Sequence, residues 1–183
     1  MPRTPVVSAP AARAVMVAVA GVGIAADQAT KQWAIAALAP GEPVPLLGTV
    51  LQLYLIRNPG AAFSLGEGAT VVFSVLALVV LAGLLVVVLP RLRHWVWALA
   101  FGLMAAGVGG NLVDRIARPP APFHGHVVDF LMLPRWPIFN LADSMLVAAA
   151  TLVVVLSFFG SRGPGGRPYE QPESDGADEE VAA

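Results

Sequence analysis

The chain has no cysteine. Disulfides, thiolate catalysis and cysteine-ligated metals are excluded by that absence alone. Charge is also scarce. Only 13% of the 183 residues are charged, about half the share in a soluble domain. Lys31 is the sole lysine, so a Ser-Lys catalytic pair would have to join Ser64 or Ser144 to Lys31, and no motif supports it. There is no His-Glu-x-x-His for an intramembrane zinc enzyme. No basic cluster with interleaved aromatics occurs, so nothing points to nucleic acid. The acidic residues are unevenly spread: half lie between Glu170 and Glu180, and the rest are Asp27, Glu42, Glu67, Asp114, Asp129 and Asp143.

What is abundant is apolar: 57% of residues are hydrophobic and mean hydropathy is +0.73. Ala69 to Leu89 and Trp95 to Val113 contain no charge, and Ser144 to Phe159 is a third uncharged run that extends back through Asp143 to about Ile138. A helix crossing the hydrocarbon core needs about 20 apolar residues. A fourth segment, Ala14 to Leu38, is interrupted by Asp27 and Lys31. Arg13 followed by small apolar residues fits a cleavable signal peptide. The hydrophobicity resumes past Lys31, and Asp27 and Lys31 stand at i, i+4 spacing to pair on one face, so the segment reads as a retained helix.

These runs predict an all-α polytopic membrane protein with helices over about 14–38, 69–89, 95–113 and 138–159. Residues 1–163 form one membrane domain and 164–183 a disordered acidic tail. Between helices 1 and 2, Thr49 to Arg57 is rich in β-formers and ends at the Asn58-Pro59-Gly60 turn signal, which predicts a small extramembrane β-rich segment. Helices 3 and 4 are expected to be joined by a short proline-rich loop. Basic residues slightly favour the side holding both termini, which reads as cytoplasmic. Trp33, Trp95, Trp97 and Trp136 read as interface anchors, and His94 as headgroup-facing.

Ionisable groups at membrane depth are costly and tend to be functional. Four aspartates sit in or at the ends of apolar segments, each with polar neighbours: Asp27 with Lys31, Asp114 with Asn111 and Arg115, Asp129 after Val127-Val128, and Asp143 with Asn140. Gly102, Ala106 and Gly110 make a small-residue stripe on helix 3, where helix 4 is expected to approach. The simpler reading makes Asp27–Lys31 a neutralised pair, Asp114–Arg115 a scaffold, and Asn58, Asn111 and Asn140 plain interhelical hydrogen bonders. His124, His126 and Asp129 have metal-ligand types, but only three groups converge.

Taken together, Asp27-Gln28-x-x-Lys31, Arg57-Asn58-x-Gly60-Ala61-Ala62-Phe63, Gly110-Asn111-x-x-Asp114-Arg115, Val127-Val128-Asp129-Phe130 and Phe139-Asn140-x-Ala142-Asp143-Ser144 resemble the ordered motifs of the bacterial lipoprotein signal peptidases, or signal peptidase II. The resemblance spans about Ala14 to Phe159. It implies a membrane aspartic endopeptidase with Asp129 and Asp143 as the catalytic pair. It places Asn58, Gly60, Asn111, Asp114, Arg115, Asn140, Ala142, Asp27 and Lys31 in substrate binding or support. It implies diacylglyceryl-modified prolipoprotein substrates, contact with membrane lipid, a cytoplasmic-membrane location and no cofactor. The stretch Phe130 to Ala142 is shorter than the loop common in the family, which bears on the substrate entrance. Two other readings are a small proton-coupled transporter or channel, whose relay would need polar groups at several depths, and a non-catalytic assembly factor, which would not require both Asp129 and Asp143.

Overall fold

The computed structural model describes residues 8–60, 69–160 and 162–168. Ala61, Ala62 and Phe63 of the second motif, Ser64, and the tail from residue 169 lie outside the described residues.

Helix α1 (Ala9–Ala37) begins five residues earlier than expected. Ser8 caps it by accepting from the Ala11 N–H at 3.4 Å, and Pro10 sits in the first turn, where no backbone donor is missed. The charge that made Arg13 look like a boundary is absorbed, because its guanidinium donates to the Pro90 carbonyl. Helix α2 (Ala69–Gly83) continues through a π-turn (Leu84–Val88) and a 3₁₀ turn (Leu89–Arg91). The irregularity falls where Pro90 removes a helix donor. Helix α3 (Trp95–Ala117) extends a turn beyond Val113. Helix α4 (Leu141–Phe159) starts later than Ile138, because Asn140 takes the cap position and closes a reciprocal box with Asp143. All four helices are long and apolar enough to span a bilayer.

Strand β1 (Val44–Leu47) pairs antiparallel with β2 (Leu51–Asn58), and β2 pairs antiparallel with β3 (Val127–Met132). The third strand comes from the connection between α3 and α4, where the sequence reads only as a short loop. Leu53, Leu55, Val128 and Phe130 bury one face of this sheet against Ala34 of α1. The register sets Asn58 opposite Val127 and Ile56 opposite Asp129. The sheet therefore carries one aspartate to the end of the bundle where α1 and α3 finish.

Helix α3 is the central element, with more than half of it buried. Its small-residue stripe meets α4, as expected, where Ala106 packs with Ala142 and Met145, and it meets α1 as well. A Cβ on Gly110 would lie 2.5 Å from Asp27 Oδ2, and Ala106 lies against Gly23. Helix α4 also approaches through Gly107, where a Cβ would meet the Ala142 carbonyl at 2.5 Å. Small residues on two faces of α3 thus let both neighbours come close to it.

At the opposite end, Met16, Leu84, Leu92 and Trp97 form a second core. Trp97 is not an interface anchor: it is buried, stacks on Phe101 at 5.5 Å and donates Nε1–H to the Arg162 carbonyl at 2.9 Å. His94 is also buried, not headgroup-facing. Residues 162–168 are fastened here, since the Arg93 N–H donates to Pro164 O at 3.0 Å and the Gly163 N–H to Arg167 O at 2.9 Å. Removal of residues 169–183, rich in acid and poor in large apolar residues, is expected to leave both melting and cleavage unchanged. Cutting back to Gly163 is expected to lower the melting temperature, because Arg93 loses its acceptor. Thermal melts of the two truncations in detergent check this.

Candidate active site

Asp129 and Asp143 reach the same cavity from different elements. Asp129 rides on β3, and Asp143 is the third residue of α4. The cavity has a volume of about 610 Å³. Its polar lining is Asn58, Gly60, Asn111, Arg115, Asp129, Arg135 and Asp143; Val127, Trp136, Pro137, Phe139 and Val147 supply an apolar wall.

Three asparagines organise the two carboxylates. Asn58 Nδ2 donates to Asp129 Oδ2 at 2.9 Å, and Asn140 Nδ2 donates to Asp129 Oδ1 at 2.6 Å. Asn111 Nδ2 donates to Asp143 Oδ1 at 2.8 Å, while the Asn140 backbone N–H donates to Asp143 Oδ2 at 3.1 Å. An amide of this kind has two possible senses, and its neighbours decide between them. Here each side-chain oxygen faces a group that can only donate. Asn58 Oδ1 accepts from the Gly60 N–H at 3.0 Å, Asn140 Oδ1 from the Asp143 N–H at 3.0 Å, and Asn111 Oδ1 from Lys31 Nζ at 2.9 Å. All three NH₂ groups are therefore turned to acidic oxygens. The Asn140 amide links the site, since its Nδ2 also donates to Asn111 Oδ1 at 3.1 Å.

Behind the cavity lies a buried charge cluster. Lys31 Nζ stands 2.8 Å from Asp27, 2.9 Å from Asp114 and 2.9 Å from Asn111. Its three donors are all used. Asp27 Oδ1 accepts from the Ala142 N–H at 3.0 Å, which ties α1 to the start of α4. Asp114 accepts from Arg118 Nε at 2.7 Å and from the Val128 N–H at 3.1 Å, which ties α3 to β3. The expected Asp114–Arg115 pair does not form. Adjacent helical residues diverge by about 100°, so Asp114 turns toward Lys31 and Arg118 while Arg115 turns into the cavity. Arg115 Nη1 donates to the Asn111 carbonyl at 3.3 Å, and its guanidinium sits 5.9 Å over the Phe73 ring.

The site residues expected from sequence thus divide in two. Asn58, Gly60, Asn111, Arg115, Asp129 and Asp143 line the cavity, with Asn140 bridging the aspartates. Asp27, Lys31, Asp114 and Ala142 lie behind it and hold elements together. Gln28 and Arg118 belong with this second group: Gln28 Nε2 donates to Gly110 O at 3.0 Å and to Asp114 Oδ1 at 3.1 Å. Arg118 was legible as i+4 from Asp114, had the helix been carried past Val113. Arg135 and Trp136 were not legible as cavity residues. His124 and His126 do not converge with Asp129: the His124 ring is 3.1 Å from Pro122 O, and His126 borders a separate cavity.

Burial pushes the Asp129 carboxyl up to about 7, and the nearby Asp143 charge adds to the shift; the hydrogen bonds from Asn58 and Asn140 oppose it. A carboxyl that keeps its proton near neutrality sits beside a second carboxyl whose oxygens both accept N–H bonds.

The family profile described as Signal peptidase (SPase) II matches residues 19–159, most of the chain. The chain belongs to the signal peptidase II family. The signal peptidase II profile covers all four motif aspartates and every asparagine of the cavity. Curated relatives agree. A "Lipoprotein signal peptidase" of Rhodococcus jostii is 44% identical over 85% of this chain and 78% of its own length. That of Mycobacterium avium is 44% identical over 79% of each chain. A solved structure titled as a bacterial membrane enzyme at 2.3 Å is similar with a TM-score of 0.69 and 26% identity, covering 78% of this chain and 87% of that one. A second with the same title at 1.9 Å gives a TM-score of 0.68 and 25% identity over 79% and 92%. Membership of the signal peptidase II family makes the chain an aspartic peptidase, with four helices apolar enough to cross a membrane.

Proposed function

We propose that the protein removes signal peptides from diacylglyceryl-modified prolipoproteins, just before the lipidated cysteine, with Asp129 and Asp143 activating water. The single observation that carries this reading is the meeting of Asp129 and Asp143 at one 610 Å³ cavity, both bonded to Asn140. The cavity's apolar wall suits a substrate arriving sideways from the bilayer. With both termini on the cytoplasmic side, the site faces the outer surface.

Hydrolysis by this pair needs no covalent intermediate. Asp143 accepts a proton from water as the oxygen attacks the scissile carbonyl. Asp129, holding its proton, donates it to the carbonyl oxygen as that oxygen gains charge. Asp143 then passes its proton to the leaving amide nitrogen as the C–N bond breaks, and a hydroxyl of the tetrahedral intermediate returns its proton to Asp129, which restores the starting pair. Two close carboxylates do not readily both ionise, so one proton shared between them is the resting state. Gathering of the ionisable groups at one end of the bundle favours this reading over a proton relay, which needs groups at several depths.

The pH dependence tests it. Asp129 must be protonated to act, and its pKa is raised to about 7. Cleavage is expected to hold on the acid side of 7 and to fall about ten-fold per pH unit above it. Stability follows the same sign. The raised value means the folded state holds the proton more tightly than the unfolded chain does. Its contribution is fully present below the ordinary carboxylate value of 3.8 and is lost as pH rises through about 7. The melting temperature of Asp129→Asn should therefore rise relative to that of wild type between pH 5 and pH 8. A flat rate profile across that range, with no change in relative melting, would sink Asp129 as the acid.

Arg115 gives a separate expectation. Its guanidinium enters the cavity with Nε buried and without a hydrogen-bond partner among the described residues. A planar fork there can hold a substrate carbonyl at two points, whereas lysine keeps only the charge. Arg115→Lys is expected to lower kcat/KM about ten-fold or more, the cost of one charge-assisted hydrogen bond, with the melt little changed. Normal kcat/KM in the variant would remove Arg115 from substrate contact.

A further inference from the structure

The two faces of the small sheet serve different spaces. Successive strand residues point to opposite faces. Asn58 reaches Asp129, so Arg57, its neighbour on β2, leaves the sheet on the other side. Val127 and Asp129 line the catalytic cavity, while His126, just before β3, borders a second cavity together with Arg57. This second cavity has a volume of about 560 Å³ and is closed by Gln32 and Ile35 of α1 and by Arg118 after α3. None of its lining residues is acidic.

The charges around it do not balance. Asp27, Asp114, Lys31 and Arg118 contribute equal and opposite charge and are joined by contacts of 2.7 to 2.9 Å. Arg57 stands outside that cluster and makes no ion pair among the described residues. Arg118 turns Nε to Asp114 and Nη2 to Gln28, and its remaining terminal nitrogen has no protein partner among the described residues. Two guanidiniums thus border one hollow with unused donors, and Ile35, Ala117, Pro119 and Pro120 give it an apolar part.

The depth of the hollow says what meets it. Ala117 ends α3, and Gln32 lies in the last two turns of α1. The hollow therefore opens at headgroup level. Trp33 beside it is half exposed, as an interfacial tryptophan is. Further along α3 toward the bilayer centre, Val113 and Ile116 are exposed one turn apart and give an acyl chain an apolar track.

We infer that this second cavity binds the phosphodiester of an anionic phospholipid headgroup, with the phosphate between Arg57 and Arg118. Guanidinium forks match phosphate oxygens in two-point geometry. At this depth the lipid headgroup is the phosphate held at high local concentration. His126 and Gln32 supply further polar contacts to the headgroup.

The test is native mass spectrometry of the full-length protein in detergent. Dioleoylphosphatidylglycerol and dioleoylphosphatidylcholine are added in separate arms, and inorganic phosphate serves as competitor. Wild type is expected to retain the glycerol lipid in preference to the choline lipid. Arg57→Gln should lower that retention about five-fold, the loss for one arginine at an anionic lipid surface. Arg57→Lys should fall between, keeping the charge without the fork. Millimolar inorganic phosphate should not displace the lipid. Asp143→Asn should retain it like wild type, which separates this site from catalysis. Equal retention by wild type and both Arg57 variants, or equal retention of the two lipids, would overturn the proposal. Full displacement by inorganic phosphate would overturn the lipid source and leave a free-phosphate site.

Discussion

Asp143→Asn and Asp129→Asn are each expected to lower cleavage by about 10²–10⁴-fold or more, the share that one positioned acid or base contributes. Asparagine keeps the shape of the side chain and removes the exchangeable proton. The two variants should differ in stability. Asp143 Oδ2 accepts the Asn140 N–H in the cap of α4, a bond that the asparagine oxygen can still accept. Its Oδ1 accepts from Asn111 Nδ2, so an NH₂ placed there meets another donor. Asp143→Asn should lose about 1–3 kcal/mol from that clash of donors. Asp129→Asn meets the same kind of clash, since Asn58 and Asn140 donate to both Asp129 oxygens, but it also removes a buried acid, so its deficit against wild type should shrink as pH rises through 7. Activity assays with parallel melts separate the two effects. A variant that melts like wild type yet cleaves near-normally would end that residue's catalytic role.

Lys31→Met is expected to be the most destabilising single change in the protein, by about 3–5 kcal/mol. Lys31 is fully buried and neutralises both Asp27 and Asp114, which are themselves fully buried. Removing one partner of such a cluster leaves uncompensated charge where water does not reach. The damage should also reach the cavity, because Lys31 sets the sense of the Asn111 amide. Adding Asp27→Asn should restore part of the melting temperature, since one of the stranded charges is gone. It should restore little activity, because Asn111 still lacks its fixed donor. Melting of Lys31→Met within about 1 kcal/mol of wild type would show that the cluster is not held by this charge.

Much of this was legible in the chain because a bilayer punishes charge. The uncharged runs had to be spans, and aspartates among them had to be kept for a reason. Asp129 and Asp143 stood out on those grounds, and the ordered motifs added Asn58, Asn111 and Asn140. Other features were hidden for physical reasons. Strand β3 was not legible, because Val127 to Met132 is a short stretch interrupted by Asp129, set among prolines, and its partner β2 lies some seventy residues away. The partner of Asp114 was missed because proximity in sequence suggested Arg115. Helix geometry sends adjacent side chains apart and brings Arg118, four residues on, to the carboxylate. Trp97 resembled an anchor by its place near a helix end, and only the fold shows the Arg162 carbonyl that meets its indole. The stripe of Gly102, Ala106 and Gly110 announced the close contact with helix 4, but not that α1 packs on the same residues.

The most direct measurement is cleavage by the purified full-length protein of one precursor in two forms, with and without diacylglyceryl on its cysteine, beside Asp143→Asn as control. The account predicts that wild type cuts the lipidated form just before the modified cysteine, leaves the unmodified form almost intact, and that Asp143→Asn cuts neither. Equal cutting of both forms, or cutting of the lipidated form by Asp143→Asn at the wild-type rate, would contradict it.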